Sequence, residues 1–438
     1  MKTVSFGGSR ETPVQQTVNP SDPAFAQPWP ARDDVRITAV RAIVTAPAGI
    51  PLVVVKVETS DDGLYGLGCA TFTQRWRAVV TYVEEHMARL VIGRYPGDIE
   101  DLARMVRFNS YWREGPVGNN ALSGLDEALW DIAGKRAGMP VHEMLGGKAR
   151  AAADTYLHAG GRTIDETLEQ AERLRERGLR HIRLQLGQSG SGHYGSRPTS
   201  PITDPSAPYP GGWRVGEYLY RTPELFAAAR ERLGDDIELL HDVHSRLTPK
   251  QAVTLARSLE PYRLFFLEDV IAPEHWDRLP EVCAASPVPI AVGELTTSVT
   301  DAARLVLGGG VDFIRSHVSD IGGLTAARKI AAAAELVGVR TAWHGPGDTS
   351  PIGAAANVAL DVTSPAFGIQ EGHIYPEQMH DVFPGTLRIE NGWLTPNETP
   401  GWGIDIDEAA AARFPATTSV HDEWAARVRG IDGGMIAP

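Results

Sequence analysis

The stretches ELLHD at 238–242, LFFLE at 264–268 and PIAVGE at 289–294 decide the fold. Each is a short apolar run that ends in a carboxylate, and successive carboxylates are separated by 26 residues both times. One strand–helix unit of a parallel barrel has about that length. We therefore expect three successive parallel strands whose carboxyl ends lie at one level.

Five similar segments flank these three, and amphipathic stretches separate most of them. They are ADTYLHA at 153–159, HIRLQL at 181–186, VDFIRSHV at 311–318, VRTAWHG at 339–345 and FGIQE at 367–371. Eight strands with intervening helices over about 220 residues predict a closed (β/α)8 barrel, assigned to residues 151–382. A doubly wound open sheet is the alternative. It is disfavoured because no Gly-rich phosphate fingerprint follows the first strand.

A separate α+β domain is predicted over residues 33–150. The segments 37–46 and 52–71 alternate as antiparallel strands do, and helical apolar spacing follows from about Gln74. Residues 1–32 are rich in Pro, Ser, Thr and Gln and predict an extended arm. The tail, residues 383–438, is expected to return to this domain and complete it, or to fold over the barrel mouth.

Composition excludes several classes of function. The formal net charge is −13 and basic residues are scattered, which argues against nucleic-acid binding. No run approaches the roughly 18 apolar residues of a membrane helix, and the N-terminus lacks the apolar core of a signal peptide. Cys69 and Cys283 lie in apolar surroundings and predict buried free thiols. A cytoplasmic protein is expected.

One connection is unusually long. Over thirty residues, rich in Gly, Ser, Pro and Tyr, separate HIRLQL from the predicted helix TPELFAAARERLG at 222–234. Loops of this length inside a compact domain are usually lids or binding loops. In a barrel, a loop that follows a strand lies on the face that holds the active site.

The carboxylates Asp242, Glu268 and Glu294 are predicted to bind a metal. Three carboxylates held together are costly to ionise unless a cation compensates them. Hard oxygen donors suit Mg²⁺, whereas Zn²⁺ usually requires His or Cys. Such a metal suits removal of the α-proton from a carboxylic acid, since it stabilises the charge that develops. The alternative is that the three carboxylates cap helices or pair with arginines.

Longer motifs resemble the enolase superfamily and, within it, the D-mannonate dehydratase subgroup, which includes D-gluconate dehydratases. The motifs are LSGLDEALWDIAGKRAGMPVHEMLGG at 122–147, HDVHSRLTP at 241–249, WHGPGDTSPIG at 343–353, FGIQE at 367–371 and PGWGIDIDE at 400–408. The resemblance implies an α/β fold, a modified TIM barrel of (β/α)7β type with an α+β capping domain. It implies a homo-oligomer, an octamer or a smaller symmetric assembly, with one Mg²⁺ per subunit.

The implied activity is that of a carbon–oxygen lyase, a hydro-lyase acting on an acid sugar. D-mannonate or D-gluconate would give 2-keto-3-deoxy-D-gluconate through α-proton abstraction and a metal-stabilised ene-diolate. By the resemblance, Asp242, Glu268 and Glu294 are the Mg²⁺ ligands. Three residues match the family's catalytic residues. Tyr194 is the expected base, Arg183 is the cation expected to lower the pKa of Tyr194, and His244 is the acid expected to protonate the leaving 3-hydroxyl. The residues expected to contact substrate or close the site are Gln185, Arg315, His344, Asp348, Glu371 and Trp402.

Structural explanations remain for four of these residues. Tyr194 could pack on the barrel as a loop aromatic, and Arg183 could pair with a helix carboxylate. His244 could bond to backbone at a strand end. His344 could serve only the conformation of the loop, since it precedes Gly345 and Pro346.

Departures from related branches argue for a dehydratase. The second strand reads Arg183-Leu184-Gln185 and lacks the Lys-x-Lys pair of racemases and lactonising enzymes. Racemases pair the histidine of their seventh strand with an aspartate, and His317 occupies the position of that aspartate here. The nearby Asp320 lies three residues further along the chain. This chain has Pro346 in the loop after His344. By the resemblance, members of the subgroup with proline at this position are slow, prefer gluconate or lack an assigned substrate. Two alternatives to the dehydratase stay open. One is an epimerase or racemase of another α-hydroxy acid, and the other is an acid-sugar-binding protein with little turnover.

Overall fold

The computed structural model describes Trp29 and residues 32–187, 206–417 and 429–436. The arm predicted for residues 1–32 therefore lies outside the described residues, apart from Trp29 and Arg32. The Trp29 indole donates a hydrogen bond to Asp98 (3.1 Å).

The N-terminal part is an antiparallel sheet covered by helices. The strands pair in the order β1 (Ile37–Thr45), β2 (Leu52–Thr59) and β3 (Tyr65–Cys69). The helices are α1 (Trp76–Thr81), α2 (Ala88–Val91), α3 (Ile99–Asn109) and α4 (Pro116–Ala137), with a π-helical turn at Tyr82–Met87 between α1 and α2. The buried faces of β2 and α4 form its core, as the alternating and helical apolar patterns predict.

Helix α4 packs unusually close to β3. A Cβ atom at Gly66 would lie 1.9 Å from the Ala128 carbonyl oxygen, and one at Gly68 would lie 2.0 Å from the Gly124 carbonyl oxygen. Only glycine permits this approach of helix and strand backbones. Pro116 begins the helix and Gly138, at φ +67°, ends it in the left-handed conformation.

The second part is a parallel barrel of eight strands. They are β4 (Ala153–Gly161), β5 (His181–Leu186), β6 (Glu238–Asp242), β7 (Phe266–Glu268), β8 (Ile290–Val292), β9 (Phe313–Ile314), β10 (Arg340–Thr341) and β11 (Gln370–Glu371). Each pairs with the next up to β10, and β11 pairs with β4. A parallel bridge from Thr341 to Phe367 links β10 to the segment entering β11. All eight predicted segments form strands, and the sheet curls into the predicted barrel.

Seven helices follow the first seven barrel strands. They are α6 (Ile164–Glu176), α7 (Val215–Leu233), α8 (Pro249–Leu259), α9 (Leu279–Ala285), α10 (Val299–Gly308), α11 (Leu324–Val337) and α12 (Pro351–Thr363). A short α5 (Val141–Met144) precedes the barrel. The short helix α13 (Glu377–Val382) follows β11, and β12 (Trp393–Leu394) then pairs antiparallel with β4. The predicted fold class, a (β/α)7β barrel with an α+β cap, is confirmed.

Helix α7 corrects one boundary. We predicted that it begins near Thr222, but it begins at Val215 and contains Pro223 in its interior. Proline is tolerated in the first turn of a helix, whereas in the interior it removes one backbone hydrogen bond. Tyr218, which lies before Pro223 on the same helix, is buried, so the buried face of the helix continues toward its N-terminus.

The C-terminal residues contact both parts of the molecule. Glu408, on α14 (Glu408–Ala411), pairs with Arg41 (2.6 Å) and Lys56 (2.8 Å) of the cap sheet. Residues 429–436 lie against the connection before α7, where the Trp213 amide donates to the Arg429 carbonyl (2.7 Å).

In the described part of the chain, no helix is long and apolar enough to cross a bilayer. Both cysteines are free thiols, Cys69 buried as predicted and Cys283 only half-buried.

A buried carboxyl between cap and barrel predicts a pH effect on stability. Asp126 of α4 accepts a hydrogen bond from the Thr325 amide (2.9 Å), and burial raises its pKa to about 7. Between about pH 4 and about pH 7 the folded protein keeps a proton on Asp126 that an unfolded chain releases near pH 4. The contribution of this proton to the free energy of unfolding is therefore complete below about pH 4 and falls as the pH rises to about 7.

Asp126→Asn is expected to remove this dependence. Relative to the variant, the wild type should lose about 2 kcal/mol of unfolding free energy between about pH 5 and pH 7, measured by urea denaturation. A difference that is constant across this range contradicts the assignment.

Candidate active site

Strands β6, β7 and β8 bring three carboxylates together. Asp242 and Glu268 are paired residues at the ends of their strands. Glu294 is not at the same level as predicted, because Glu268 pairs with Ala291 and β8 ends at Val292. The chain turns back at Gly293, which has φ +144°, and so returns the Glu294 side chain to the other two. One oxygen from each of the three carboxylates lies within 4.8 Å of the others, and all three residues are buried.

The donor set fits a divalent cation. Burial raises the pKa of Glu268 well above its usual range, against the opposing charge of Arg315. Burial would also raise the pKa of Asp242, but the His244 imidazole and Arg183 guanidinium outweigh it and hold this pKa well below its usual range. A bound cation would stabilise the ionised form of all three. Hard anionic oxygens on one side of an open barrel mouth match Mg²⁺ rather than Zn²⁺.

Two buried arginines flank these carboxylates. Arg183 on β5 donates to Asp242 (3.0 Å) and Glu268 (3.3 Å). Arg315, just after β9, pairs with Glu268 and with Glu371 (2.8 Å). Both guanidinium groups therefore lie beside the carboxylates, where they can bind the oxygens of an anionic ligand.

Strand β4 contributes two residues that the sequence analysis did not single out. His158 is the β-sheet partner of Arg183, and Tyr156 is the partner of Glu371. Arg183 donates to Nδ1 of His158 (3.2 Å), so the proton of a neutral ring is on Nε2, which lies 2.7 Å from Oε1 of Glu371. The Tyr156 hydroxyl accepts a bond from Arg315 (2.7 Å).

The His158 ring is neutral and borders the cavity. Burial and the neighbouring Arg183 charge lower its pKa to about 4. About 35% of the side chain is nevertheless exposed, because it faces the interior of the barrel mouth. The period-two alternation of ADTYLHA, with Tyr156 and His158 on one side, was the signal that could have identified both.

His244 reaches the site by a different route from the predicted one. We expected it to project with Asp242 from a continuing strand, but β6 ends at Asp242 and His244 has φ +51°. This left-handed turn places its Nε2 atom 2.7 Å from Oδ2 of Asp242, and its amide donates to Oδ1 (2.7 Å). Asp242 thus fixes both the backbone and the ring of His244.

His344 and Asp348 line the opposite side. His344 Nε2 is 3.5 Å from Glu294 and 3.8 Å from Glu371, and burial lowers its pKa to about 3. Burial raises the pKa of Asp348 to about 6, and the hydroxyl of Thr73 in the cap donates to it (3.3 Å). The cap therefore contacts the barrel mouth at Asp348.

The aspartate of a racemase-type dyad has no substitute among these residues. The His317 ring lies 5.2 Å from that of His344. Asp320, three residues away, accepts instead from Asn120 of the cap helix. Its carboxylate is therefore engaged away from His344.

Three predicted residues remain. Gln185 donates to the backbone carbonyl of Asp242 (3.2 Å). Trp402 is buried, and its indole donates to the carbonyls of Leu67 and Glu127 (both 3.1 Å), so its polar contacts lie in the cap rather than at the carboxylates. Tyr194 lies outside the described residues, and its role stays a prediction.

Comparisons with known proteins give the class. Residues 30–146 match the family described as "Mandelate racemase / muconate lactonizing enzyme, N-terminal domain", and residues 166–410 match "Enolase C-terminal domain-like". These matches place the chain in the enolase superfamily, as the sequence resemblance predicted.

Full-length relatives give the family. A D-galactonate dehydratase family member from Catenulispora acidiphila is 62% identical, over 98% of this chain and 100% of its own length. Another from a Streptomyces species is 46% identical over 96% of each chain. The chain belongs to the D-galactonate dehydratase family, which confirms the predicted hydro-lyase class.

A solved structure agrees with the fold. The crystal structure of an enolase from Pantoea ananatis, with bound D-gluconate and Mg, has a TM-score of 0.87 and 45% sequence identity, and it covers 92% of this chain and 100% of its own.

Proposed function

We propose that this protein is a Mg²⁺-dependent dehydratase of a C6 aldonic acid, D-gluconate or D-mannonate, that forms 2-keto-3-deoxy-D-gluconate. The observation that carries the proposal is the convergence of Asp242, Glu268 and Glu294 beside Arg183 and His244. This set combines a candidate cation site, a fixed positive charge and a candidate proton donor at one end of the barrel.

Asp242, Glu268 and Glu294 would hold the metal, which supplies positive charge where the substrate carboxylate gains electron density as its α-proton leaves. Arg315, held by Glu371 and Tyr156, is placed to bind and orient substrate oxygens.

Proton transfer requires a base and an acid. Tyr194 is proposed as the base on the strength of the sequence resemblance. Its ordinary pKa of about 10 must be lowered, and Arg183 is the cation proposed to do so. His244 is proposed to protonate the departing 3-hydroxyl, since its ring sits beside the carboxylates with its position fixed by Asp242.

Epimerisation is less well supported. It needs a second base on the other face of the α-carbon, and His344 is the candidate there. Its low pKa, about 3, makes it a weak base, and Asp320 is bonded to Asn120 and so does not raise it.

D-gluconate is the preferred substrate. The Pantoea ananatis enolase, 45% identical to this chain, was solved with D-gluconate. Pro346 follows Gly345, whose amide donates to Glu371 (2.9 Å). Proline fixes the backbone of this turn and removes a donor that a substrate hydroxyl could otherwise use.

The test is a screen of Mg²⁺-loaded protein against all C5 and C6 aldonic and aldaric acids, with detection of 2-keto-3-deoxy products. We expect a product from D-gluconate, with slower or no turnover of D-mannonate, and no product after chelation of the metal. Calorimetry would show whether Mg²⁺ and the acid sugar bind to saturation. If both bind and no product forms, the dehydratase is refuted and the binding-only alternative is favoured.

A further inference from the structure

The third carboxylate of the cation site lies in a loop rather than on a strand. Strand β8 ends at Val292, whereas Glu294 belongs to the loop that leads to α10. Strand pairing fixes Asp242 and Glu268, so Glu294 depends on the contacts of its loop. We propose that Asn119 of the cap helix α4 is a positioning residue for Glu294, and that it couples the seating of the cap on the barrel to Mg²⁺ binding. This inference rests on the proposed function, since it takes the three carboxylates as the metal ligands.

Contacts within the barrel hold the inner side of this loop. The hydroxyl of Thr296, which is fully buried, lies 2.6 Å from the Gly293 carbonyl oxygen and 2.9 Å from the Ser316 hydroxyl. A Cβ atom at Gly293 would lie 2.9 Å from the Ser316 amide nitrogen, so the loop packs closely on the chain that follows β9. The barrel therefore holds residues on both sides of Glu294 from its own interior.

The cap helix holds the opposite side of the same loop. Asn119 is buried, and its side-chain amide donates both to the Thr297 carbonyl and to the Asp320 carbonyl (2.9 Å). The Gly115 backbone amide donates to the same Thr297 carbonyl (3.2 Å). Thr297 is three residues beyond Glu294, and Asp320 lies in the turn that follows β9. One side-chain amide of the cap thus joins two barrel loops, and one of these loops bears a carboxylate of the cation site.

Loss of this amide should move the loop. A side-chain amide offers two N–H donors, and both of those on Asn119 have carbonyl acceptors in the barrel. Buried carbonyls that lose a donor are costly, so the two loops would shift to regain partners. A shift at Thr297 would displace Glu294 from the other two carboxylates. Contacts that orient metal ligands in this way change metal affinity about 10–100-fold when they are removed.

The choice of metal separates a positioning role from a general loss of stability. Mg²⁺ demands near-ideal octahedral geometry at short oxygen distances, whereas Ca²⁺ accepts irregular sets of oxygens at longer distances. A displaced Glu294 should therefore weaken the binding of Mg²⁺ more than that of Ca²⁺. A cap that merely loosens should weaken the binding of both ions to the same extent.

Asn120 provides the matched control. It is the next residue on α4, is fully buried, and also donates to Asp320, in this case to the side-chain carboxylate. Its other hydrogen bond goes to the Pro116 carbonyl (2.8 Å) rather than to the loop of Glu294. Asn119→Ala and Asn120→Ala therefore remove the same group at the same depth, but only the first removes a bond to that loop.

The test is calorimetric titration of the full chain with Mg²⁺ and, separately, with Ca²⁺. Asn119→Ala should bind Mg²⁺ about tenfold more weakly than the wild type, with a smaller loss for Ca²⁺. Asn120→Ala should keep the wild-type affinity for both ions. Circular dichroism of each variant checks that it is folded.

Gly115→Ala tests the same link if Asn119→Ala does not fold. Gly115 has φ +100°, and a Cβ atom there would meet open space, so alanine strains the turn that presents the Gly115 amide without crowding a neighbour. This variant should also weaken Mg²⁺ binding more than Ca²⁺ binding.

Three results would overturn the inference alone, with Mg²⁺ binding by the wild type intact. They are an unchanged Mg²⁺ affinity in folded Asn119→Ala (or in Gly115→Ala where the first variant does not fold), equal losses for Mg²⁺ and Ca²⁺, and an equal loss in Asn120→Ala. A wild type that binds no Mg²⁺ would overturn the proposed function and this inference together.

Discussion

Glu268→Gln is expected to abolish Mg²⁺ binding and turnover together. Glu268 lies between Asp242 and Arg315 and is fully buried, so the amide removes one of three anionic donors where water cannot replace it. Loss of the metal removes the positive charge that stabilises the developing ene-diolate, and loss of one such electrostatic contact costs about 10²–10³-fold in kcat. Calorimetric titration with Mg²⁺ and the 2-keto-3-deoxy product assay measure the two effects.

Glu371→Gln is the matched control. Glu371 is equally buried and also pairs with Arg315, but it does not belong to the carboxylate triad. This variant should bind Mg²⁺ with near-normal affinity while kcat/KM falls, because Arg315 and His158 lose a partner that orients them. Equal loss of Mg²⁺ affinity in both variants would show that buried charge in general, rather than Glu268 as a ligand, is being measured.

The barrel could be predicted because its signal is local and repeated. Each strand is an apolar run of a few residues, and the segments recur at the length of one strand–helix unit. Asp242 and Glu268 even share a level, as their spacing suggested. Glu294 broke the expected register because β8 ends two residues earlier, and a turn at Gly293 decides where its carboxylate goes.

The missed parts of the site depend on contacts between distant segments. His158 and Glu371 are 213 positions apart, and only closure of the barrel brings their side chains to 2.7 Å. His244 illustrates a second limit. A non-glycine residue at positive φ is uncommon, and local sequence gave no glycine to indicate the turn. The bond to Asp242 stabilises that conformation, so the turn depends on the side chain it positions.

His244→Asn is expected to separate the two proton transfers. If His244 protonates the leaving 3-hydroxyl, its loss should stop dehydration, by about 10²–10⁴-fold, while the α-proton still exchanges with solvent. Asparagine tolerates positive φ better than most residues, so the backbone at φ +51° should persist. Incubation in deuterated water with D-gluconate and saturating Mg²⁺ measures exchange by NMR and dehydration by product formation.

His344→Asn provides the comparison for that experiment. His344 lies across the site, 3.5 Å from Glu294, and is predicted to contact substrate rather than the leaving group. Its replacement should therefore slow exchange and dehydration by similar factors, since both need substrate in the same position. If His244→Asn also loses both processes, His244 acts before or during α-proton removal, and the assignment of the acid must be given up. Retained exchange with lost dehydration can arise only if proton abstraction and departure of the hydroxyl depend on different residues.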